Sequence, residues 1–270
     1  MRVRILQCSQ HEKGVHMPSV YLSPSTQEYN IYYDGNGSEE YYMNLIADAM
    51  EPYLEASKIT FSRNDPDQSL SRAISDSNAG NYDLHLALHS NASPESMPGS
   101  LRGSDFYYFT ASERGKRAAN VLADNFKSIY PNPNLVRALP TMLLAEVRRT
   151  SAPAVLAELA YHDNTSDAEW IRGNVDAIAR NLVQGLCEYF GIPFNIPEAP
   201  EYDRIAVVTT RGGRLNIRSR PSTSARVLAQ IPNGERVTVI DAAGDWYLIE
   251  YNGIIGFVSG EYITLITREG

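Results

Sequence analysis

Three residues of the types that bind metal ions and move protons stand where a fold can bring them together: Glu40, His89 and Glu158. Glu40 stands near the start of the helical period EEYYMNLIADAM, while His89 and Glu158 fall at or near the ends of the apolar runs LHLALH and AVLAELAY. Imidazole nitrogen and carboxylate oxygen together suit Zn²⁺, which keeps one position open for water in catalytic sites. The competing reading has His89 capping a strand and both glutamates in solvent. His85 shares a strand face with His89, but four residues span about 13 Å, so it is expected to be a core or supporting histidine. His11 and His16 precede the first strand and are read as an exposed extension. No Ser/His/Asp or Cys/His arrangement accompanies Cys8 or Cys187, two cysteines too far apart in sequence to suggest a disulfide framework.

The elements that must position these residues alternate. Strands are expected at Ser19 to Ser23, Tyr82 to His89, Phe106 to Thr110 and Ala154 to Tyr161. Helices are expected at Glu39 to Met50, after Ser112, and after a Ser166/Glu169 capping box, the last one ending at Gly191 and Pro193. Such alternation predicts an α/β fold, a sheet covered by helices, with its site beyond the carboxyl ends of the strands. Pro193, Pro197 and Pro200 mark a stiff connector. Beyond it, Gly212-Gly213, Asn233-Gly234, Gly244-Asp245 and Asn252-Gly253 punctuate short strands, which predicts a small all-β barrel. The expected organisation is therefore an N-terminal extension over 1–18, a catalytic domain over 19–192, a linker over 193–203 and a second domain over 204–270.

The chain has 270 residues and net charge −8, but the two parts differ. Residues 1–203 carry 16 basic against 26 acidic side chains, and residues 204–270 carry 8 against 6. An acidic catalytic part argues against nucleic acid as partner. No stretch approaches the roughly 20 apolar residues of a membrane span. The first residues make no secretory signal, so a role outside the cell is expected to need another exit route, such as lysis, a holin or unconventional export.

The runs VYLSPSTQ, EEYYMNLIA, LALHSNAS, RGSDFYYF and APAVLAELAYHDN occur in one order over about residues 19 to 192. Together they resemble the zinc-dependent N-acetylmuramoyl-L-alanine amidases of the amidase_3 family, enzymes that cleave peptidoglycan. The resemblance implies that Glu40 and His89 bind zinc and that Glu158 is the catalytic carboxylate. It also implies hydrolysis between the lactyl group of N-acetylmuramic acid and L-alanine. The chain departs from the family at Ser23-Pro24-Ser25-Thr26, where Asp-Pro-Gly-His would supply the first zinc ligand. Thr26 is a weak substitute; His162 is the best replacement by ligand chemistry, and Gln27 offers an amide oxygen. Arg102 is a candidate contact for substrate carboxylates, against the simpler reading of an exposed charge.

The segment LNIRSRPSTS, with Asn233-Gly234, Gly244-Asp245-Trp246-Tyr247 and Gly253 to Val258, resembles a bacterial SH3 (SH3b) domain. That implies binding of peptidoglycan at the bacterial cell wall, in an autolysin or an endolysin. Trp246, Tyr247, Tyr251 and Tyr262 are candidates for lining a peptide groove, against core packing of the barrel, which is the expectation for Trp246 in particular. The missing histidine keeps two alternatives open: a catalytically inactive wall-binding protein, and a zinc peptidase acting on stem peptides.

Overall fold

The computed structural model describes residues 17–197 and 205–266; Cys8, His11, His16 and Pro200 lie outside the described residues. The chain divides into two units between Pro197 and Glu198, each with its own core.

In the first unit, strands β1 (Ser19–Pro24), β2 (Thr60–Arg63), β3 (Leu84–Asn91), β4 (Ser104–Phe109), β5 (Val136–Thr141) and β6 (Ala154–Tyr161) form one sheet in the order β2-β1-β3-β6-β4-β5. Every neighbouring pair is parallel except β4 with β6. The central strands read as nearly continuous apolar runs because both of their faces are covered. Leu84, Leu86 and Leu88 of β3 enter the main core with residues of helices α1 (Glu39–Ala56), α3 (Glu113–Phe126) and α6 (Val175–Phe190). The alternate residues His85, Ala87 and His89 face the other side. There the short helix α4 (Ala145–Arg149) lays Val147 against Ala87, Ala154 and Leu156. One face of the sheet is thus thickly apolar, and the other is thin enough to hold polar groups.

Several elements differ from the sequence expectation, each for a physical reason. Helix α1 runs on through Pro52 to Ala56, because burial of Met50 and Leu54 outweighs the missing backbone donor. The expected Ser166/Glu169 box is not the cap: Asn164 accepts from the backbone N–H groups of Ser166 and Asp167, starting α5 (Thr165–Gly173) two residues earlier. A break at Asn174 then separates α5 from α6, where one helix was expected. Gly191 ends α6 in the left-handed conformation, as its position suggests. Strand β5 contains Pro140, which an edge strand tolerates and a central one does not. Helix α2 (Leu70–Ala79) completes the unit.

The second unit is a seven-stranded antiparallel sheet: β7 (Ile205–Val208), β8 (Arg214–Arg218), β9 (Val227–Pro232), β10 (Arg236–Ala243), β11 (Trp246–Tyr251), β12 (Ile254–Ser259) and β13 (Ile263–Ile266). Asn252 and Gly253 have φ of 52° and 79°, the paired positive values of the tight turn that joins β11 to β12. Leu215, Ile217, Ile231, Val239, Ile249 and Val258 are among the core residues. Trp246 corrects the expectation: it stays partly exposed, outside this core, and lines a surface cavity.

Candidate active site

Strand register places four polar residues side by side. His89 on β3 is opposite Glu158 on β6, Glu158 is opposite Asp105 on β4, and Asp105 is opposite Arg137 on β5. Neighbouring strands lie about 4.8 Å apart, so these side chains form one row across the thinly covered face. Arg137 closes the row by gripping Asp105 with two hydrogen bonds of 2.8 Å.

Glu158 is the strained member. Among the described residues, its Oε2 is buried without a partner. Burial pushes its carboxyl pKa up to about 7, with His89 opposing and the charges of Glu39, Asp105 and Glu146 adding to the rise. Native protein therefore keeps this proton up to about pH 7, whereas an unfolded chain releases it near 4.5. Unfolding releases the proton between those values, so this group makes stability fall as pH rises through that window. In urea titrations of metal-free protein between pH 4.5 and 8, Glu158→Gln is expected to remove that component. The difference between parent and variant should grow with pH by on the order of 3 kcal/mol.

His89 is 13% exposed and held from both sides. Its Nδ1 lies 2.7 Å from Glu39 Oε1 and its Nε2 lies 3.1 Å from Glu146 Oε2. Burial disfavours the imidazolium, but the two carboxylates outweigh it and raise the pKa well above the usual value. Glu146 comes from α4 and is 3% exposed. Its other oxygen lies 3.2 Å from His85 Nε2 and accepts the Ser23 hydroxyl. Burial opposes its charge, yet the hydrogen bonds and charges of His85 and His89 hold the carboxyl far below its ordinary range. His85 Nδ1 in turn lies 2.9 Å from Ser77 Oγ. A continuous hydrogen-bonded chain therefore runs Glu39, His89, Glu146, His85, Ser77. Sequence reasoning missed Glu146, since a lone acid in the five-residue α4 shows no helical period.

Glu39 also replaces Glu40 in this geometry. Ser38 caps α1 by accepting the Tyr41 N–H, and that registers the helix so that Glu39 turns inward, 1% exposed. Successive helical residues point about 100° apart, so both glutamates cannot face β3. Glu40 instead accepts a hydrogen bond from Asn44, and burial together with Glu28 and Asp67 raises its pKa. Ser38→Ala is expected to cost about 1 kcal/mol in chemical denaturation, by removing the cap that sets this register.

The remaining expected residues separate. Gln27 Nε2 lies 3.3 Å from His89 Nδ1 and 3.4 Å from Glu39 Oε1, so Gln27 joins the site. Thr26 lines the same cavity of about 160 Å³ as Gln27, His89 and Glu146. His162 does not reach it: its Nδ1 lies 3.1 Å from Ser90 Oγ and 2.9 Å from Ser90 O, and its ring stacks on Tyr32 in the main core. Arg102 does not line it either, because its Nε donates to the buried Asp167 at 2.9 Å.

Among the described residues, no group of three or more His, Cys, Asp or Glu side chains forms a metal-holding cluster. His89 Nδ1, Glu39 Oε1 and the Gln27 amide are nevertheless 2.7 to 3.4 Å from one another. Tetrahedral donors bound at about 2.0–2.1 Å have edges close to these. The Gln27 amide oxygen accepts from Tyr29 Oη at 3.0 Å and Asn30 Nδ2 at 3.3 Å, so a half-turn that presents it to a metal gives up both bonds. The residues thus fit zinc as one imidazole, one carboxylate and one amide, with the unpartnered Glu158 carboxyl in register beside His89.

A family model described as N-acetylmuramoyl-L-alanine amidase matches residues 27–188, and one described as bacterial SH3 domain matches residues 213–264. The amidase match starts at Gln27, just past the run that lacks the expected histidine. N-acetylmuramoyl-L-alanine amidase LytC of Bacillus subtilis (strain 168) is 27% identical over 180 residues, 64% of this chain and 35% of LytC. Putative N-acetylmuramoyl-L-alanine amidase YrvJ of the same organism is 40% identical over 57 residues, 21% of this chain and 11% of YrvJ. The chain thus spans about a third and about a tenth of the lengths of these curated relatives. The catalytic domain of CwlV, an N-acetylmuramoyl-L-alanine amidase from Bacillus (Paenibacillus) polymyxa var. colistinus, superposes with a TM-score of 0.57 at 19% identity. That superposition covers 66% of this chain and all of the CwlV chain, and shows a shared fold. With the amidase model covering more than half of its length and the sheet and helices of an amidase catalytic domain, the chain belongs to the N-acetylmuramoyl-L-alanine amidase family and carries a bacterial SH3 domain behind that unit.

Proposed function

We propose that the chain is a zinc-dependent N-acetylmuramoyl-L-alanine amidase that hydrolyses peptidoglycan between the lactyl group of N-acetylmuramic acid and L-alanine. The observation that carries this reading is Glu158: a buried carboxyl with one unpartnered oxygen, poised near pH 7 and in register with His89. A general base works best when its pKa lies near the working pH. Glu158 takes a proton from the attacking water and returns it to the departing nitrogen of L-alanine, so no nucleophilic side chain is needed.

Glu146 accepts the Nε2 proton of His89 and Glu39 the Nδ1 proton; displacement of the latter would leave the Nδ1 lone pair free for a metal held with Glu39 and Gln27. These three side chains would hold the metal. A zinc ion bound there would polarise the scissile carbonyl and make the water more acidic. The site then contains no second histidine ligand, and His162 serves the core. In competition with a chromogenic chelator, Gln27→Ala is expected to weaken zinc binding at least tenfold. His162→Ala is expected to leave zinc binding unchanged in protein that remains folded. Equal loss in both variants would return His162 to the ligand set.

Acting at the bacterial cell wall as autolysin or endolysin suits a catalytic unit tied to a module that raises the local concentration of an insoluble substrate. A second reading, an inactive wall-binding protein, draws on a specific observation: both nitrogens of His89 are already met by carboxylates. Zinc titration separates the two. Stoichiometric binding with proton release supports the enzyme, because the metal must displace the imidazole proton.

A further inference from the structure

The cavity of about 160 Å³ beside His89 contains polar atoms that the proposed hydrolysis does not use. Asn64 lines it and is 5% exposed. Its Nδ2 donates to Pro24 O at 3.2 Å, which fixes the amide one way round and, among the described residues, leaves Oδ1 without a partner. Thr26 lines the same space, and among the described residues its hydroxyl makes no hydrogen bond. Leu70 and Ala73, three positions apart and so on one face of α2, add an apolar wall. Glu146 is the one carboxylate in the lining, and its oxygens already meet Ser23, His85 and His89. A buried acceptor without a donor costs folding free energy, which a ligand N–H at that position recovers.

We infer that this cavity is a subsite for a secondary amide carrying a methyl group, an acetamido substituent of the substrate. Asn64 Oδ1 accepts the amide N–H, the Thr26 hydroxyl donates to the amide oxygen, and Leu70 with Ala73 covers the methyl group. Size agrees: sites that enclose a whole ligand run to roughly 300–1,000 Å³, so this one takes a single substituent and leaves the sugar ring outside. Tyr29, 73% exposed at the rim, offers that ring a flat face. A free amino group in place of the acetamido group keeps one hydrogen bond and forfeits the other two contacts. The group recognised is read from the cavity; that it belongs to N-acetylmuramic acid rests on the proposed function. In that sugar the acetamido carbon neighbours the carbon bearing the lactyl ether, which agrees with a subsite bordering His89. Thr26 thereby acts on the substrate without holding metal.

The test compares hydrolysis by the zinc-supplied full chain of a soluble muropeptide and of its counterpart with the muramic nitrogen deacetylated. The acetylated substrate is expected to have a kcat/KM at least about tenfold higher. Thr26→Val and Leu70→Ala, neither at a buried position, should each lower that ratio by about threefold or more. A second measurement needs no hydrolysis: saturation-transfer NMR of the metal-free full chain with the methyl glycoside of N-acetylmuramoyl-L-alanine. The acetyl methyl protons should receive the largest transfer. Equal rates on the two substrates, an unchanged ratio in both folded variants, or largest transfer to the alanine methyl group would each overturn the inference. Hydrolysis of neither substrate, with transfer to the acetyl methyl group intact, would sink the amidase reading and support the subsite. Equal hydrolysis of both would do the reverse.

Discussion

Glu158→Gln is expected to reduce release of L-alanine amino termini by about 10²- to 10⁴-fold while leaving the fold and zinc content in place. The expectation follows from its position. Glu158 sits three residues before the last residue of a central strand, between His89 on one neighbour and Asp105 on the other. It makes no hydrogen bond through Oε2, so its removal as a carboxylate leaves few native partners unsatisfied. Glutamine keeps the shape and the polarity but cannot accept a proton. A variant that folds, binds zinc and keeps full activity would exclude Glu158 as the base. Rate and metal content measured on one preparation separate loss of chemistry from loss of metal.

The second large effect is structural. Asp167 is 0% exposed and accepts four hydrogen bonds: from Arg102 Nε at 2.9 Å, the Gly103 N–H at 3.1 Å, Tyr130 Oη at 2.7 Å and the Tyr161 N–H at 3.2 Å. These donors belong to the approach to β4, the segment after α3 and the end of β6, so one carboxylate ties three parts of the first unit together. Asp167→Ala is expected to destabilise by about 3–5 kcal/mol in urea titration, because it strands buried donors and the Arg102 charge. Arg102→Ala removes only one partner, 38% exposed, and is expected to cost much less. Arg102 was a candidate substrate contact, against an exposed charge; in the structure its guanidinium is tied to Asp167. Equal effects of the two substitutions would contradict that assignment.

Much of the architecture was legible because it depends on local patterns. The apolar runs of β3 and β6, Ser112 as the cap of α3, Gly191 after α6 and the Asn252-Gly253 turn are all written in adjacent residues. His89 and Glu158 were legible for a related reason: each lies near the carboxyl end of such a run. Choosing Glu39 over Glu40 was not legible, because the rotation of α1 depends on the Ser38 cap and on what faces β3. Glu146 was hidden by the shortness of α4. His162 looked like a ligand by chemistry, yet its ring is bound to Ser90 and stacked on Tyr32, contacts made 72 and 130 positions away in sequence. The same limit applies to Trp246, whose type suggested core and whose surroundings put it at a cavity.

Amino termini released from purified cell walls by the full chain, assayed with zinc and again after EDTA, bear most directly on the central claim. New L-alanine amino termini are expected with zinc, with their loss after EDTA and their return when zinc is restored. Folded, zinc-supplied protein that releases none would contradict it.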